Sequence, residues 1–182
     1  MRVPLSWLRE YVSLAEPVDT TEVSRRLTAA GLEVESVESV GHDIRGVVVA
    51  QVLSIEELIG LKKPIRYCRV AVSDSQLAGP PDEASGVICG AVNFAVGDRV
   101  ALALPGAVLP GGFEISARKT YGHISEGMIC SAAELAIGDD HSGILVLPPS
   151  APLGADFVAY AGLADHVWTM REWITMPGIQ RR

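Results

Sequence analysis

The segment GDRVALALPGAVLPGG, residues 97–112, carries a fold signal that recurs along much of the chain. A run of Val, Ala and Leu follows a Gly-Asp pair, and Pro-Gly and Pro-Gly-Gly interrupt what comes next. Short Val-rich runs bounded by Gly and Pro are typical of strands joined by tight turns. The segment therefore predicts a strand over residues 100–104 with a turn on each side.

Further apolar runs lie on both sides of this segment and are separated by Gly and Pro. Five short strands with turn residues at intervals of roughly 10–20 residues are typical of a small barrel or a sandwich. A last run, residues 143–147, reads as a strand that ends at Pro148-Pro149. The other predicted strands cover residues 47–55, 65–72, 87–89 and 128–131.

The residues outside this region have a different pattern. Apolar residues recur every three or four positions over residues 5–12, which predicts a helix. The tetrapeptide Asp19-Thr20-Thr21-Glu22 predicts the start of a second helix, and Gly31 predicts its end. Alternating apolar and charged residues predict a strand over 32–38. The tail predicts a short helix at 157–161 and a strand at 167–175, and residues 131–137 predict one helical turn.

Composition narrows the class of protein. Of the 182 residues, 48% are hydrophobic, which is enough for a folded core. No apolar run reaches the roughly 18 residues that a membrane span needs, and the first residues lack a signal-peptide pattern, so we expect a cytoplasmic protein. The three cysteines, Cys68, Cys89 and Cys130, form no C-x-x-C pair, and we expect reduced, buried thiols.

Motifs for catalysis are scarce. The four histidines stand apart from one another, and neither an H-E-x-x-H motif nor a glycine-rich phosphate loop occurs. The densest polar cluster, residues 139–142, is expected to be a loop. A Ser-His-Asp site stays open, because the fold rather than sequence adjacency assembles one. We predict no cofactor, no metal and no catalytic residue.

Charge gives a mixed signal about nucleic acid. The chain has 15 Lys and Arg against 22 Asp and Glu, a net charge of −7, which argues against a general nucleic-acid coat. Residues 40–150 alone carry a charge of −4, from 8 basic and 12 acidic residues. The basic residues are nevertheless grouped, since four fall within residues 62–69 with no acidic residue between them and two more are adjacent at 118–119. They are either solvated surface charge or phosphate contacts, and any RNA affinity should be weak and salt-sensitive.

Several long motifs in one order resemble a known family. They are residues 4–12 (PLSWLREYV), 27–35 (LTAAGLEVE), 88–93 (ICGAVN), 97–112 and 125–132 (SEGMICSA). Over residues 1 to about 165 the chain resembles the N-terminal region of the β subunit of bacterial phenylalanyl-tRNA synthetase. The resemblance implies an α+β fold in which a five-stranded OB-fold barrel of the tRNA-binding type, residues 40–150, is inserted into a small split α/β domain, residues 1–39 and 151–182.

The resemblance also implies a function and its residues. We expect a non-catalytic module that binds tRNA or a related RNA, because the family's catalytic, editing and anticodon-binding parts lie outside the resemblance. Asn93 and Glu126 are polar and adjacent to loops, so they are candidates for contact or for positioning the loops, together with Ser125. The expected phosphate contacts are Lys62, Lys63, Arg66, Arg69, Arg118 and Lys119.

Two other functions remain open from the sequence. The first is a protein-interaction or oligomerisation module that docks on a synthetase subunit or on a second copy of itself. Trp168, Trp173 and Ile174 in the tail are then expected to be exposed. The second is a small enzyme that uses aminoacyl-tRNA, which no group of residues in the sequence supports.

Overall fold

A computed structural model describes residues 1–41, 43–60 and 64–171, and the chain divides into two units. The smaller unit comprises Met1–Gly41 and Leu163–Arg182, and the larger unit comprises His42–Gly162. Helices and antiparallel sheets occur together, which confirms the predicted α+β class.

The elements of the described part follow the chain in this order: β1 (Arg2–Pro4), α1 (Leu5–Tyr11), α2 (Thr20–Ala29), β2 (Val34–Val40), β3 (Arg45–Glu57), β4 (Arg66–Ala71), α3 (Asp74–Ala78), a 3-10 turn (Pro81–Glu83), β5 (Ser85–Cys89), β6 (Arg99–Leu109), β7 (Phe113–Glu114), β8 (Arg118–Thr120), β9 (His123–Ser125), β10 (Met128–Ile129), β11 (Val146–Leu147), α4 (Phe157–Tyr160) and β12 (Asp165–Met170).

The smaller unit is built on a three-stranded antiparallel sheet in the order β1-β12-β2. Helix α2 starts where the sequence predicts, because the Asp19 carboxylate accepts hydrogen bonds from the Thr21 amide at 2.9 Å and the Glu22 amide at 3.1 Å. The helix ends before Gly31, whose φ of +91° is the left-handed conformation common after helices. The predicted start and end of this helix are confirmed.

The prediction that Trp168 is exposed is wrong. Strand β12 is the central strand of its sheet, and the indole of Trp168 is fully buried. Its Nε1 donates a hydrogen bond of 2.8 Å to the Ser24 hydroxyl, so the polar edge of the ring is satisfied inside the unit. The other two residues of that prediction, Trp173 and Ile174, lie outside the described residues.

The larger unit is built on a seven-stranded sheet whose main path is β10-β6-β3-β4-β5. The long strand β3 pairs antiparallel with β4 on one side and with β6 on the other. Side chains such as Val52, Val70 and Leu102 are completely buried between these strands. Removing each such side chain from water contributes about 1.5–3 kcal/mol, so this sheet holds the core that positions the surface residues.

The pairing of the strands leaves the sheet open. Strands β5 and β10 lie at the two ends of the path, and no ladder joins them among the described residues. Strands β7 and β11 both pair with β6, and β8 pairs with β9 in a separate hairpin.

Most predicted strands are confirmed, with shifted bounds. The strand predicted over residues 143–147 is much shorter than expected, because only Val146 and Leu147 form a strand there. The helical turn predicted over residues 131–137 is not a helix in the structure, where these residues form turns. The sequence reasoning missed β1, α3, β7 and the β8–β9 hairpin, and residues 172–175 of the predicted last strand lie outside the described residues.

Within the described part, no helix is long and apolar enough to cross a membrane. The same part contains no group of three or more His, Cys, Asp and Glu side chains placed to hold a metal ion.

Candidate nucleic-acid interface

The β8–β9 hairpin projects the adjacent basic pair from the larger unit. Its register pairs Arg118 with Ser125, Lys119 with Ile124 and Thr120 with His123. Tyr121 and Gly122 form the two-residue turn, with φ values of +51° and +83°. Two positive φ values are the mark of a type I′ hairpin turn, where Asn-Gly is preferred and a bulky residue is strained by roughly 1–2 kcal/mol.

A stack of side chains holds the hairpin against the sheet. The His123 ring lies on the Tyr67 ring of β4, with 4.2 Å between centroids and 35° between planes. On the same tyrosine, the Arg69 guanidinium lies 5.2 Å from the ring centroid. Arg69 Nη1 also donates to the Ala84 carbonyl at 2.9 Å, which fixes the guanidinium over the ring. We call Arg69, Tyr67 and His123 the stacked triad.

A glycine makes room for this triad. A Cβ added to Gly86 of β5 would lie 2.1 Å from Tyr67 Oη and 2.7 Å from Tyr67 Cζ. Gly86 is therefore required for the tyrosine to lie flat across β5 and meet the hairpin.

Arg118 and Lys119 are exposed and available to an anion. Neither forms an ion pair with any residue that the structure describes. Arg118 Nε makes only a long contact of 3.4 Å with the Ser116 hydroxyl. Because the two residues alternate along a strand, their side chains leave opposite faces of the hairpin.

Arg66 is much less exposed than Arg118 and Lys119. Its side chain is only 16% exposed and forms a 3.4 Å ion pair with Glu57. Nη1 donates to the Phe94 carbonyl at 3.2 Å and to the Val92 carbonyl at 3.4 Å, and the guanidinium lies 5.6 Å from the Phe94 ring centroid. Two of its three hydrogen bonds thus go to the loop at residues 92–94.

Asn93 in that loop binds a segment that is distant in sequence. Its Nδ2 donates to the Ile144 carbonyl at 2.9 Å, and its Oδ1 accepts from the Ile144 amide at 3.0 Å. The Asn93 side chain thus satisfies both backbone hydrogen-bonding groups of Ile144, as a neighbouring strand would do in a sheet.

Ser125 and Glu126 bind the backbone of β5. The Ser125 hydroxyl accepts a hydrogen bond from the Ile88 amide at 3.0 Å. The Glu126 amide donates to the Gly86 carbonyl at 2.7 Å, and its carboxylate accepts from the Gly86 amide at 3.3 Å. These bonds attach the end of the hairpin to the free edge of β5.

The structure therefore separates the predicted residues into groups. The stacked triad connects Arg69 to the hairpin that carries Arg118 and Lys119. Ser125 and Glu126 attach the end of this hairpin to β5. Arg66 and Asn93 lie together at the loop of residues 92–94. Lys62 and Lys63 lie outside the described residues.

Sequence reasoning missed three aromatic residues of this surface: Tyr67, Tyr121 and His123. Gly122 was a signal for a turn, but Tyr121 is not a residue that favours a two-residue hairpin turn. Nothing in the sequence indicated that His123 would meet Tyr67, because that contact depends on how the hairpin returns to the sheet.

Two cavities lie beside Ile88 and Met128, and the first of them also borders the hairpin. The first, of about 210 Å³, is lined by the apolar residues Ile88, Phe113 and Met128, with Arg118 and Thr120 of the hairpin. The second, of about 370 Å³, is lined by polar residues including Ser131, Glu134, His141 and Ser142. The first cavity is thus an apolar hollow beside Arg118, and the second is a polar cavity.

The predicted loop at residues 139–142 is confirmed. The Asp140 carboxylate accepts hydrogen bonds from the Ser142 amide at 2.8 Å and the Ser142 hydroxyl at 2.6 Å. These bonds lower the pKa of Asp140. The carboxylate is thus occupied by the turn itself.

The cysteines are free and buried, as predicted. Burial raises the pKa of Cys68 and of Cys130 to about 12, and it also raises the pKa of Cys89. Because only the thiolate is a nucleophile, these thiols are unreactive at neutral pH.

Comparison with known proteins indicates the family to which the chain belongs. A family described as "Putative tRNA binding domain" matches residues 47–156. This match covers more than half of the chain, and the chain belongs to that family of tRNA-binding domains.

The chain is also similar to phenylalanine–tRNA ligase beta subunits. It is 62% identical over 149 residues to that of Thermobifida fusca, a match that covers 81% of this chain and 18% of the relative. It is 56% identical over 169 residues to that of Streptomyces avermitilis (92% and 20%) and 42% identical over 168 residues to that of Syntrophus aciditrophicus (92% and 20%). The chain thus spans about a fifth of the length of these relatives, and the resemblance stated from its motifs is confirmed.

Proposed function

We propose that this chain binds tRNA, without catalysing a reaction, through the β8–β9 hairpin and the adjacent face of β4. The observation that carries the proposal is the pair Arg118 and Lys119, which lack an ion-pair partner in the described part of a domain of the tRNA-binding family. Arg69 adds a third cation, which the stacked triad links to the hairpin. Lys and Arg side chains of this kind bind phosphate oxygens.

The remaining predicted residues take supporting or additional roles in this proposal. Lys62 and Lys63 are proposed as phosphate contacts on the basis of the sequence alone. Arg66 and Asn93 support the loop at residues 92–94, because their bonds go to backbone groups of the protein.

We also propose that the larger unit is an OB-fold. Strands β3, β4 and β5 form a meander, β6 pairs with the first of them, and β10 pairs with β6. The bonds from Ser125 and Glu126 to β5 bring the two ends of this path together, as a small, partly open barrel requires. We retain residues 40–150 as the proposed barrel and residues 1–39 with 151–182 as the proposed α/β domain.

In an OB-fold the second and third strands and two loops bind oligonucleotides. The second and third strands would here be β4 and β5, and one of the two loops would contain the β8–β9 hairpin. The hairpin that carries the two cations would therefore belong to a loop through which this fold class binds nucleic acid.

The setting of this activity follows from the relatives. They are named beta subunits, so we propose another synthetase subunit as the protein partner. We also propose the cytoplasm as the compartment. The net charge of −7 opposes the approach of RNA, so binding should be weak, and it should weaken further as salt rises because salt competes with the phosphate contacts.

The test uses two double variants with the same loss of charge. Arg118→Gln with Lys119→Gln should weaken retention of tRNA about 10-fold or more at low salt. It should also reduce the slope of log affinity against log salt by about 2, or about 1 per lost phosphate contact. The control, Arg25→Gln with Arg26→Gln, changes two exposed arginines of α2 in the smaller unit.

A filter-binding titration of labelled tRNA over a range of salt concentrations measures both quantities. The proposal fails if the unmodified chain retains no tRNA at low salt. It also fails if the two double variants lose affinity equally.

A further inference from the structure

Tyr121 is the most unusual residue of the hairpin. It is one of two residues other than glycine with positive φ in the described part of the chain, the other being Ala136. Asn, Asp or Gly would fit the first position of such a turn without strain, whereas a bulky aromatic residue does not. The strained residue is also 54% exposed, so burial of its ring in the protein does not compensate for the conformation.

Residues with a strained backbone conformation cluster at ligand-binding sites. The strain at Tyr121 therefore points to a role in binding rather than in folding. Here two contacts at the base of the hairpin fix the structure around Tyr121. His123, two residues after Tyr121, is stacked on Tyr67, and Ser125 is bonded to Ile88. The hairpin tip is thus held in place from its own base, and its position does not depend on Tyr121.

The neighbours of the tip identify what such a ring would contact. Lys119 and Arg118 precede it on β8 without ion-pair partners among the described residues, and this cationic strand favours an anionic chain. Acidic residues also lie nearby, since Glu114 lines the first cavity and Glu126 follows β9. The Glu126 carboxylate accepts a hydrogen bond of 3.3 Å from the Gly86 amide, which holds this side chain against β5.

An exposed aromatic ring next to free cations matches one ligand in particular. Single-stranded RNA offers phosphates for the cations and unstacked bases for the ring, whereas duplex RNA keeps its bases stacked on one another. The apolar hollow of about 210 Å³, lined by Phe113 and Arg118, gives a second place for a base next to the hairpin.

We propose that Tyr121 stacks on an unpaired base of the bound RNA, so that the hairpin selects single-stranded over duplex regions. This inference rests on the proposed tRNA-binding function, and it adds the base contact and the strand preference to it.

The test separates stacking from backbone strain. Tyr121→Asn removes the ring and relieves the strain, so the protein should be as stable as before or more stable. It should bind an unstructured single-stranded RNA oligonucleotide about 10-fold more weakly, in the range found for loss of one base–aromatic stack. Tyr121→Phe keeps the ring and should keep the affinity. Tyr121→Leu keeps the strain without an aromatic ring and should lose affinity as the Asn variant does.

A matched control is Tyr11→Asn, which removes an exposed tyrosine of the smaller unit. It should leave RNA binding unchanged. The salt dependence gives a second criterion, because Tyr121→Asn removes no charge and should keep the slope of log affinity against log salt.

The measurement is a fluorescence anisotropy titration with a labelled single strand and with a labelled duplex of the same length. The inference is overturned if Tyr121→Asn binds the single strand as well as the unmodified chain does, or if the unmodified chain prefers the duplex. Should that happen while the Arg118 and Lys119 double variant still loses affinity, the proposed function stands and only the base contact fails. An unmodified chain that binds neither RNA overturns the inference, and the tRNA retention assay then decides separately whether the proposed function stands.

Discussion

The Ser125 hydroxyl accepts a hydrogen bond from the Ile88 amide at 3.0 Å, and it donates one of 3.0 Å to the Gly127 carbonyl. Ile88 lies in β5, whose second edge has no strand partner in the described part of the sheet. A serine side chain thus takes the place of a neighbouring strand. The hairpin that carries the free cations is attached to the sheet by this bond.

Ser125→Ala should destabilise the larger unit by about 1–3 kcal/mol, because the substitution leaves the half-buried Ile88 amide without its acceptor. Chemical denaturation in urea measures the loss. Amide hydrogen exchange should also show reduced protection at Ile88.

The control for this prediction is Ser116→Ala, at an exposed serine whose hydroxyl receives a long 3.4 Å contact from Arg118. It should change stability by less than about 0.5 kcal/mol. Equal stabilities of the two variants would show that the Ser125 bond does not contribute to the attachment of the hairpin.

Gly86→Ala should displace Tyr67, because the added Cβ would lie 2.1 Å from its Oη. The stacked triad should come apart, and the His123 ring resonances should lose the upfield shift that a ring 4.2 Å away produces. NMR of the imidazole protons measures this change. A comparable substitution in the same region, Gly90→Ala, places its Cβ 3.8 Å from Ile65 Cδ1 and should leave the shift intact.

A double variant decides whether Tyr67 is the cause. With Tyr67→Ala already present, Gly86→Ala should cost much less stability than it does alone, since the clashing ring is gone. Additive losses in urea denaturation would mean that Gly86 is required for another reason.

The sequence predicts the elements of this fold better than it predicts the roles of the polar residues. Strands and helices follow from local patterns, as the Asp19 cap and the end of α2 before Gly31 show. Trp168 could not be assigned correctly in the same way, because its burial depends on β12 lying between two strands that are distant in sequence.

The same limit explains the candidate site. Arg118 and Lys119 are adjacent in sequence, so they could be predicted to lie together, although the hairpin that carries them could not. Asn93 was also identified from the sequence, but its partner Ile144 is far along the chain, and only the fold shows that both ends of its amide are used. Tyr67 and His123 form a contact that no local pattern specifies.

Asn93→Ala should destabilise the larger unit by about 1–3 kcal/mol, since it leaves both backbone groups of Ile144 without their partners. Asn93→Asp keeps the acceptor for the Ile144 amide at 3.0 Å but loses the donor to the carbonyl, so its loss should be intermediate near pH 4 and larger at neutral pH, where the carboxylate faces that carbonyl. Urea denaturation of both variants at the two pH values measures the difference. An Asp variant with the same stability as the unmodified chain at neutral pH would contradict the role of the donated bond.

The buried thiols should make the fold sensitive to alkaline pH. Burial raises the pKa of Cys68 and Cys130 to about 12 in the folded chain, whereas a thiol in the unfolded chain keeps its ordinary value near 9. Below the unfolded value both states are protonated, and the full stability is present. As the pH rises above about 9, the unfolded chain releases these protons first, so stability should fall progressively until the pH reaches the folded value.

Urea denaturation at several pH values measures this slope. The double variant Cys68→Ala with Cys130→Ala provides the comparison. It should be less stable at neutral pH because of the cavities it creates, but its stability should fall less steeply above about pH 9. Equal slopes for the two proteins would assign the alkaline loss to other groups. Alkylation by iodoacetamide near neutral pH gives a separate check, because all three thiols should react in urea and none should react in the native chain.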